Sequence, residues 1–193
     1  AADGKGMSGL PTGFVDLDRL LSGLQPGEMV VLAARPSMGK TALCLNIAEQ
    51  TARGGRTPNE PPKGPHAGVG IFSLEMSKSS LVQRLPSAAA NVDSHRMRTG
   101  HLSEQEMATL HTTAEMLQET PIFIDDTPGL TIMALRARAR RMVAQHSVRA
   151  IIIDYLQLLS APGSGRESRQ VEVSAISRGL KALARELRVP VVC

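Results

Sequence analysis

The stretch Ala34-Arg35-Pro36-Ser37-Met38-Gly39-Lys40-Thr41 joins an apolar run, Met29 to Ala34, to a run with helical apolar spacing, Thr41 to Arg53. No other feature limits the possible folds as sharply. The apolar run is short and follows Pro26-Gly27, which predicts a buried strand. Leu43, Ile47 and Ala48 then fall on one helical face. A strand that enters a helix through a glycine-containing loop aims unpaired backbone N–H groups at one point. The positive end of the helix dipole points there too, so an anion is held.

Each residue of the loop has a reason to be there. Gly39 lets the backbone approach phosphate oxygens without a Cβ in the way. Lys40 supplies a mobile cation for β- and γ-phosphates, and the Thr41 hydroxyl is placed to coordinate Mg²⁺. Residues 34–42, from Ala34 through Ala42, form the expected nucleotide-binding set, with ATP and Mg²⁺ as ligands. The usual pattern starts with glycine, whereas this chain has Ala34. Alanine lacks glycine's freedom at positive φ, so Ala34 is expected in an ordinary conformation.

At 193 residues the chain has the size of one domain, with 42% hydrophobic residues as in globular proteins. No apolar run approaches the ~18 residues of a membrane span. The first six residues contain no apolar segment of the secretory kind. Cys44 and Cys193 are two isolated thiols in apolar surroundings, more consistent with a reducing compartment than with a disulfide framework. The expectation is a soluble cytoplasmic domain that does not engage a membrane. A formal charge of +4 permits contact with nucleic acid without requiring it. Aromatic residues are only 2%, so no base-stacking platform is expected, and any DNA would be held by its phosphate backbone.

Apolar strand candidates at 28–34, 69–74, 121–125, 150–155 and 189–193 alternate with helical patterns at 12–22, 40–53, 78–90, 104–118, 131–146 and 168–188. Such alternation predicts an α/β fold with a mostly parallel central sheet. Ser103-x-x-Glu106 is a capping box, followed by an apolar stripe of Met107, Leu110, Ala114 and Leu117. In the last helix Val173, Ile176, Leu180, Leu183 and Leu187 recur at intervals of three and four. Pro86 is expected to kink or end its helix near Leu85. Stretches 58–70 and 160–167, dense in Pro and Gly, read as loops.

Two strands end in carboxylates. Asp154 closes Ile151-Ile152-Ile153 and can hold the Mg²⁺ shell opposite the cradle. Glu75 closes the run from Val69 to Leu74. It suits either a base that orients and deprotonates the attacking water or a first-turn acid that favours the next helix. Asp125-Asp126 ends a third strand and competes for either role, although Thr127-Pro128-Gly129 after it reads more simply as a turn. Arg136, Arg138, Arg140 and Arg141 read as a solvated helix face rather than a nucleic-acid patch. The five histidines lack ligand spacing, so no metal beyond Mg²⁺ is expected.

In order along the chain, six segments resemble the DnaB family of replicative DNA helicases. They are Gly9–Phe14, Leu24–Gly27, Ala34–Thr41, Phe72–Ser77, Ile153–Leu158, and Ile176–Arg178 with Leu183–Leu187. The resemblance covers nearly the whole chain, and Ala34 also occurs in that family. It implies a three-layer RecA-like P-loop fold. It further implies a ring homohexamer that translocates on single-stranded DNA, with primase and a helicase loader as partners. On this resemblance Lys40 and Thr41 meet the phosphates and Mg²⁺, Glu75 is the water-activating base, and Asp154 is the Walker B acid. Residues 1–193 are then an ATPase core without the family's N-terminal helical domain. The polar sensor, DNA-gripping loops and arginine finger are expected beyond Cys193, so hydrolysis by this piece alone is expected to be poor. The alternatives are another RecA-like ATPase, such as a recombinase or regulatory ring protein, and a non-catalytic nucleotide-binding assembly module.

Overall fold

The computed structural model describes residues 7–35, 37–55, 66–156, 159 and 169–193. Its strands are β1 (Met29–Val30), β2 (Gly68–Ser73), β3 (Ile122–Asp125), β4 (Val148–Asp154) and β5 (Val191–Val192). They form one sheet in the order β1-β5-β4-β2-β3, with every pairing parallel. The helices are α1 (Val15–Leu21), α2 (Lys40–Ala52), α3 (Lys78–Ala89), α4 (Ser94–Thr99), α5 (Glu104–Gln118), α6 (Ile132–His146) and α7 (Arg169–Leu187).

Strand side chains alternate between two faces, and each face has its own core. Phe72, Ile151, Ile153 and Val191 pack with Leu135 of α6 and with Ile176, Leu180 and Leu183 of α7. On the other face, Ile71, Ala150, Ile152 and Val192 pack with Ile47 and Ala48 of α2 and Leu81 of α3. The result is helix, sheet, helix: three layers around a parallel sheet. The period of α7 predicts its burial well, since Ile176, Leu180 and Leu183 are fully buried while Val173 and Leu187 are half-buried.

Several expectations need correction. The run 28–34 is not a buried strand throughout. It forms the sheet edge, where among the described residues only β5 pairs with it, and Val31 is 56% exposed. Single hydrogen bonds from Cys193 N to Val30 O and from Leu32 N to Cys193 O carry the pairing slightly further. Pro86 does not end its helix, because α3 continues to Ala89. Ala90 N donates to Pro86 O, and Leu85 and Ser87 are held in buried sites on either side of the proline. The one helical bond lost is the one to the Val82 carbonyl, and Val82 is exposed. The α5 capping box forms as expected, but its apolar stripe is only half-covered and Met107 is exposed. That helix packs on α3, in the outer layer, rather than on the sheet. α4 is an additional helix that no apolar periodicity marks, although Asp93 as N-cap and Gly100 as left-handed C-cap bracket it in the sequence.

Candidate active site

The cradle lies where β1 gives way to α2. Positive φ falls on Ser37 (63°) and Gly39 (85°), and Ala34 keeps an ordinary backbone as its side chain requires. Pro36 lies outside the described residues. Gly39 is the N-cap of α2 and accepts from Leu43 N at 2.9 Å. The first-turn amides of Lys40, Thr41 and Ala42 therefore have no intrahelical acceptor. A Cβ on Gly39 would meet no protein atom within 4 Å, so it would project into the open cleft instead.

Asp154 stands at the end of β4 and is 4% exposed. Its Oδ2 accepts from the Thr41 hydroxyl at 2.5 Å, and the Lys40 ammonium lies 2.9 Å from Oδ1. That second contact is an ion pair without hydrogen-bond alignment, which leaves Oδ1 buried and lacking a hydrogen-bond donor among the described residues. The Lys40 ammonium also sits 3.8 Å from the centroid of the Tyr155 ring. Lysine, threonine and aspartate, far apart in sequence, thus share one locus.

Glu75 follows β2 and is exposed, on a turn that leads into α3. It lines a cleft of about 650 Å³ together with Ala34, Arg35, Lys40 and Thr41. Ser37, Gly39 and Ala42 border the same space. Arg84 faces it from α3, a cation that no sequence motif marks. Cys193 lines the cleft while Cys44 lies on α2 behind it, and both are free buried thiols. Burial first, and the Asp154 charge second, push the Cys44 thiol up to about 12. Neither thiol is a nucleophile at neutral pH, since burial raises Cys193 as well.

These residues fit a magnesium nucleotide. The undonated Oδ1 of Asp154 and the Thr41 hydroxyl are hard oxygen donors of the kind Mg²⁺ takes. Lys40 and the open amides of the α2 first turn suit the phosphates.

The remaining candidates play other parts. Asp125 accepts from Arg138 at 2.7 Å and from Thr127 N at 3.0 Å, which is the turn chemistry expected of it. Burial pushes the Asp125 carboxyl up, but hydrogen bonds from Arg138 and Thr127 outweigh it and hold the group below its usual value. Asp126 reaches across to α3 and accepts from Lys78 N at 2.7 Å. The arginine run is not simply a solvated face. Arg136 and Arg140 both grip Glu186 of α7, while Arg138 serves Asp125.

Residues 9–193 match the family described as DnaB-like helicase C terminal domain. The replicative DNA helicase DnaB of Geobacillus stearothermophilus is 45% identical over 186 residues, which is 96% of this chain and 39% of that protein. Its counterpart in Nostoc sp. is 46% identical over 191 residues, 98% of this chain and 20% of that protein. The chain thus spans well under half the length of these relatives. Among solved structures, one ATPase domain superposes with a TM-score of 0.85 at 32% identity, over 99% of this chain and 64% of that one. A DnaB-like replicative helicase, described with its interactions with primase, gives 0.85 at 31% identity over 97% of this chain and 43% of that one.

Proposed function

This chain belongs to the DnaB-like helicase C terminal domain family, and from that premise we propose that residues 1–193 are the RecA-like motor core of a longer replicative DNA helicase. The observation that carries the reading is the convergence of Lys40 and Thr41 on buried Asp154 in the cleft that Glu75 lines. In this reading ATP binds at residues 34–42, with Lys40 and the α2 amides on its phosphates. Thr41 and Asp154 hold Mg²⁺. Mg²⁺ held by these two residues would supply positive charge against the phosphate oxygens. Glu75 orients the attacking water and takes its proton on the side-chain carboxylate.

In the longer protein the proposed assembly is a homohexameric ring that moves on single-stranded DNA. With 2% aromatic residues in this chain, the grip on DNA would be through the phosphate backbone. A primase and a helicase loader are the proposed partners, and the bacterial cytoplasm is the proposed compartment. The family match disfavours a recombinase, a regulatory ring protein or a purely structural nucleotide module. DNA-stimulated ATP hydrolysis by the complete protein tests this. Glu75→Gln should bind nucleotide normally and lose turnover by at least about a hundredfold. Unchanged turnover in that variant would move the base elsewhere.

A further inference from the structure

Glu75 sits on a turn that is tied down from both sides. Leu74 N donates to the Asp154 carbonyl at 2.8 Å, which fixes the start of the turn to β4. Ser73, 2% exposed, donates from Oγ to Met76 O at 2.7 Å and accepts from Met76 N at 3.3 Å. The far end is held by a bond to the loop after β3, from Lys78 N to Asp126 Oδ2 at 2.7 Å. Helix α3 already has its own cap in the Ser77 hydroxyl, which accepts from Ser80 N. Asp126 satisfies a second first-turn amide of α3 and, because it comes from the loop after β3, ties that strand to the Glu75 turn.

Asp126 is in turn placed by its neighbours. Arg138 of α6 donates to Asp125 Oδ2 at 2.7 Å and to the Thr127 hydroxyl at 2.8 Å. Thr127 N donates to Asp125 Oδ1 at 3.0 Å. The residues on both sides of Asp126 are thus locked to one guanidinium, and the loop offers its carboxylate to Lys78 in a fixed pose.

We propose that Asp126 is a positioning residue for Glu75, supported by Arg138, and that this network sets the distance of the Glu75 carboxylate from the cradle. The inference rests on the reading of Glu75 as the water-activating base. Displacing a catalytic group by about 1 Å can cost on the order of a hundredfold in rate. With Ser73 and Leu74 still anchoring the near end, the loss on removing Asp126 is about tenfold.

The test is steady-state ATP hydrolysis by the complete protein with single-stranded DNA, beside titration with a fluorescent ATP analogue. Asp126→Ala should lower kcat about tenfold and leave nucleotide affinity within about twofold. Asp126→Asn keeps an oxygen acceptor and should recover most of the rate. Arg138→Gln should lower kcat with affinity unchanged, and it keeps the inference testable if Asp126→Ala does not fold. Adding Asp126→Ala to Glu75→Gln should not lower the residual rate further, because the group being positioned is already disabled. Wild-type kcat in either Asp126→Ala or Arg138→Gln, or an additive loss in the double variant, overturns the positioning role. If Glu75→Gln itself turns over normally, the base assignment has failed instead. An inactive Glu75→Gln beside a fully active Asp126→Ala rejects the positioning inference alone.

Discussion

Replacing Lys40 with alanine should weaken the protein in two separable ways. The ammonium lies 2.9 Å from Asp154 Oδ1, with the lysine side chain 21% exposed and the aspartate side chain 5%. At an effective dielectric of about 20, the gross attraction at that separation is about 6 kcal/mol. Desolvation of the pair cancels much of it. Removing one partner of a fully buried pair typically costs about 3–5 kcal/mol, because the other charge is stranded. Here the lysine is partly wet and the Thr41 hydroxyl still holds Oδ2, so about 2 kcal/mol is expected. In a chain of 193 residues that lowers Tm by about 4–8 °C. The second effect is on ligand affinity. Loss of a charge-assisted contact to phosphate should weaken nucleotide binding about ten- to a hundredfold. Urea unfolding without added nucleotide reads the first effect, and titration with a fluorescent ATP analogue reads the second. In an Asp154→Asn background the stability cost of Lys40→Ala should nearly vanish, since no buried charge is left to strand. Undiminished stability together with undiminished nucleotide affinity would refute the pairing and the cradle at once.

Gly9→Ala should destabilise by at least about 1–3 kcal/mol, because a Cβ there would stand 2.6 Å from the backbone of Gly23 and Leu24; a midpoint equal to wild type in urea would show that this corner has room. Glu186 is held at about 2, against an ordinary 4.5, first by the hydrogen bond from Arg140 and then by that from Arg136. Between those values the unfolded chain binds the proton that the folded one refuses. The contribution of Glu186 is therefore complete above about 4.5 and is lost as pH falls through about 2. Acid unfolding followed by circular dichroism should be shallower across that window in Glu186→Gln, and identical slopes would count against the α6–α7 clamp.

Much of the candidate site was legible because its signals are local. The cradle is one contiguous octapeptide, and Asp154 and Glu75 each close an apolar run. The capping box of α5 spans four residues and forms as read. What escaped the sequence lies at long separation. Asp126 meets Lys78 across 48 positions, and Glu186 meets Arg136 across 50. No periodicity encodes such pairs, because they depend on which strands and helices become neighbours. The same reason explains β1. Its composition gives an apolar strand, whereas its exposure depends on its place at the sheet edge.

The strand order also explains why the site needs these particular side chains. Neighbouring strands lie about 4.8 Å apart, so β1 and β4, with β5 between them, are separated by roughly 10 Å. That gap at the carboxyl ends is the floor of the cleft, and Cys193 at the end of β5 lines it. The four-carbon stem of Lys40, starting from the first residue of α2, brings its ammonium to Asp154 Oδ1, and the Thr41 hydroxyl one residue further on meets Oδ2. One strand further, β2 aligns Ser73 with Asp154 and delivers Glu75 beyond it, and β3 aligns Asp125 with Phe72 and delivers Asp126. Asp154, Glu75 and Asp126 therefore leave three adjacent strands, β4, β2 and β3, in a row. A slip of one residue in the β2–β3 register would move Asp126 by about 3.3 Å along the strand and break its 2.7 Å bond to Lys78. The parallel register thus fixes where the Glu75 turn stands relative to Asp154 and Asp126.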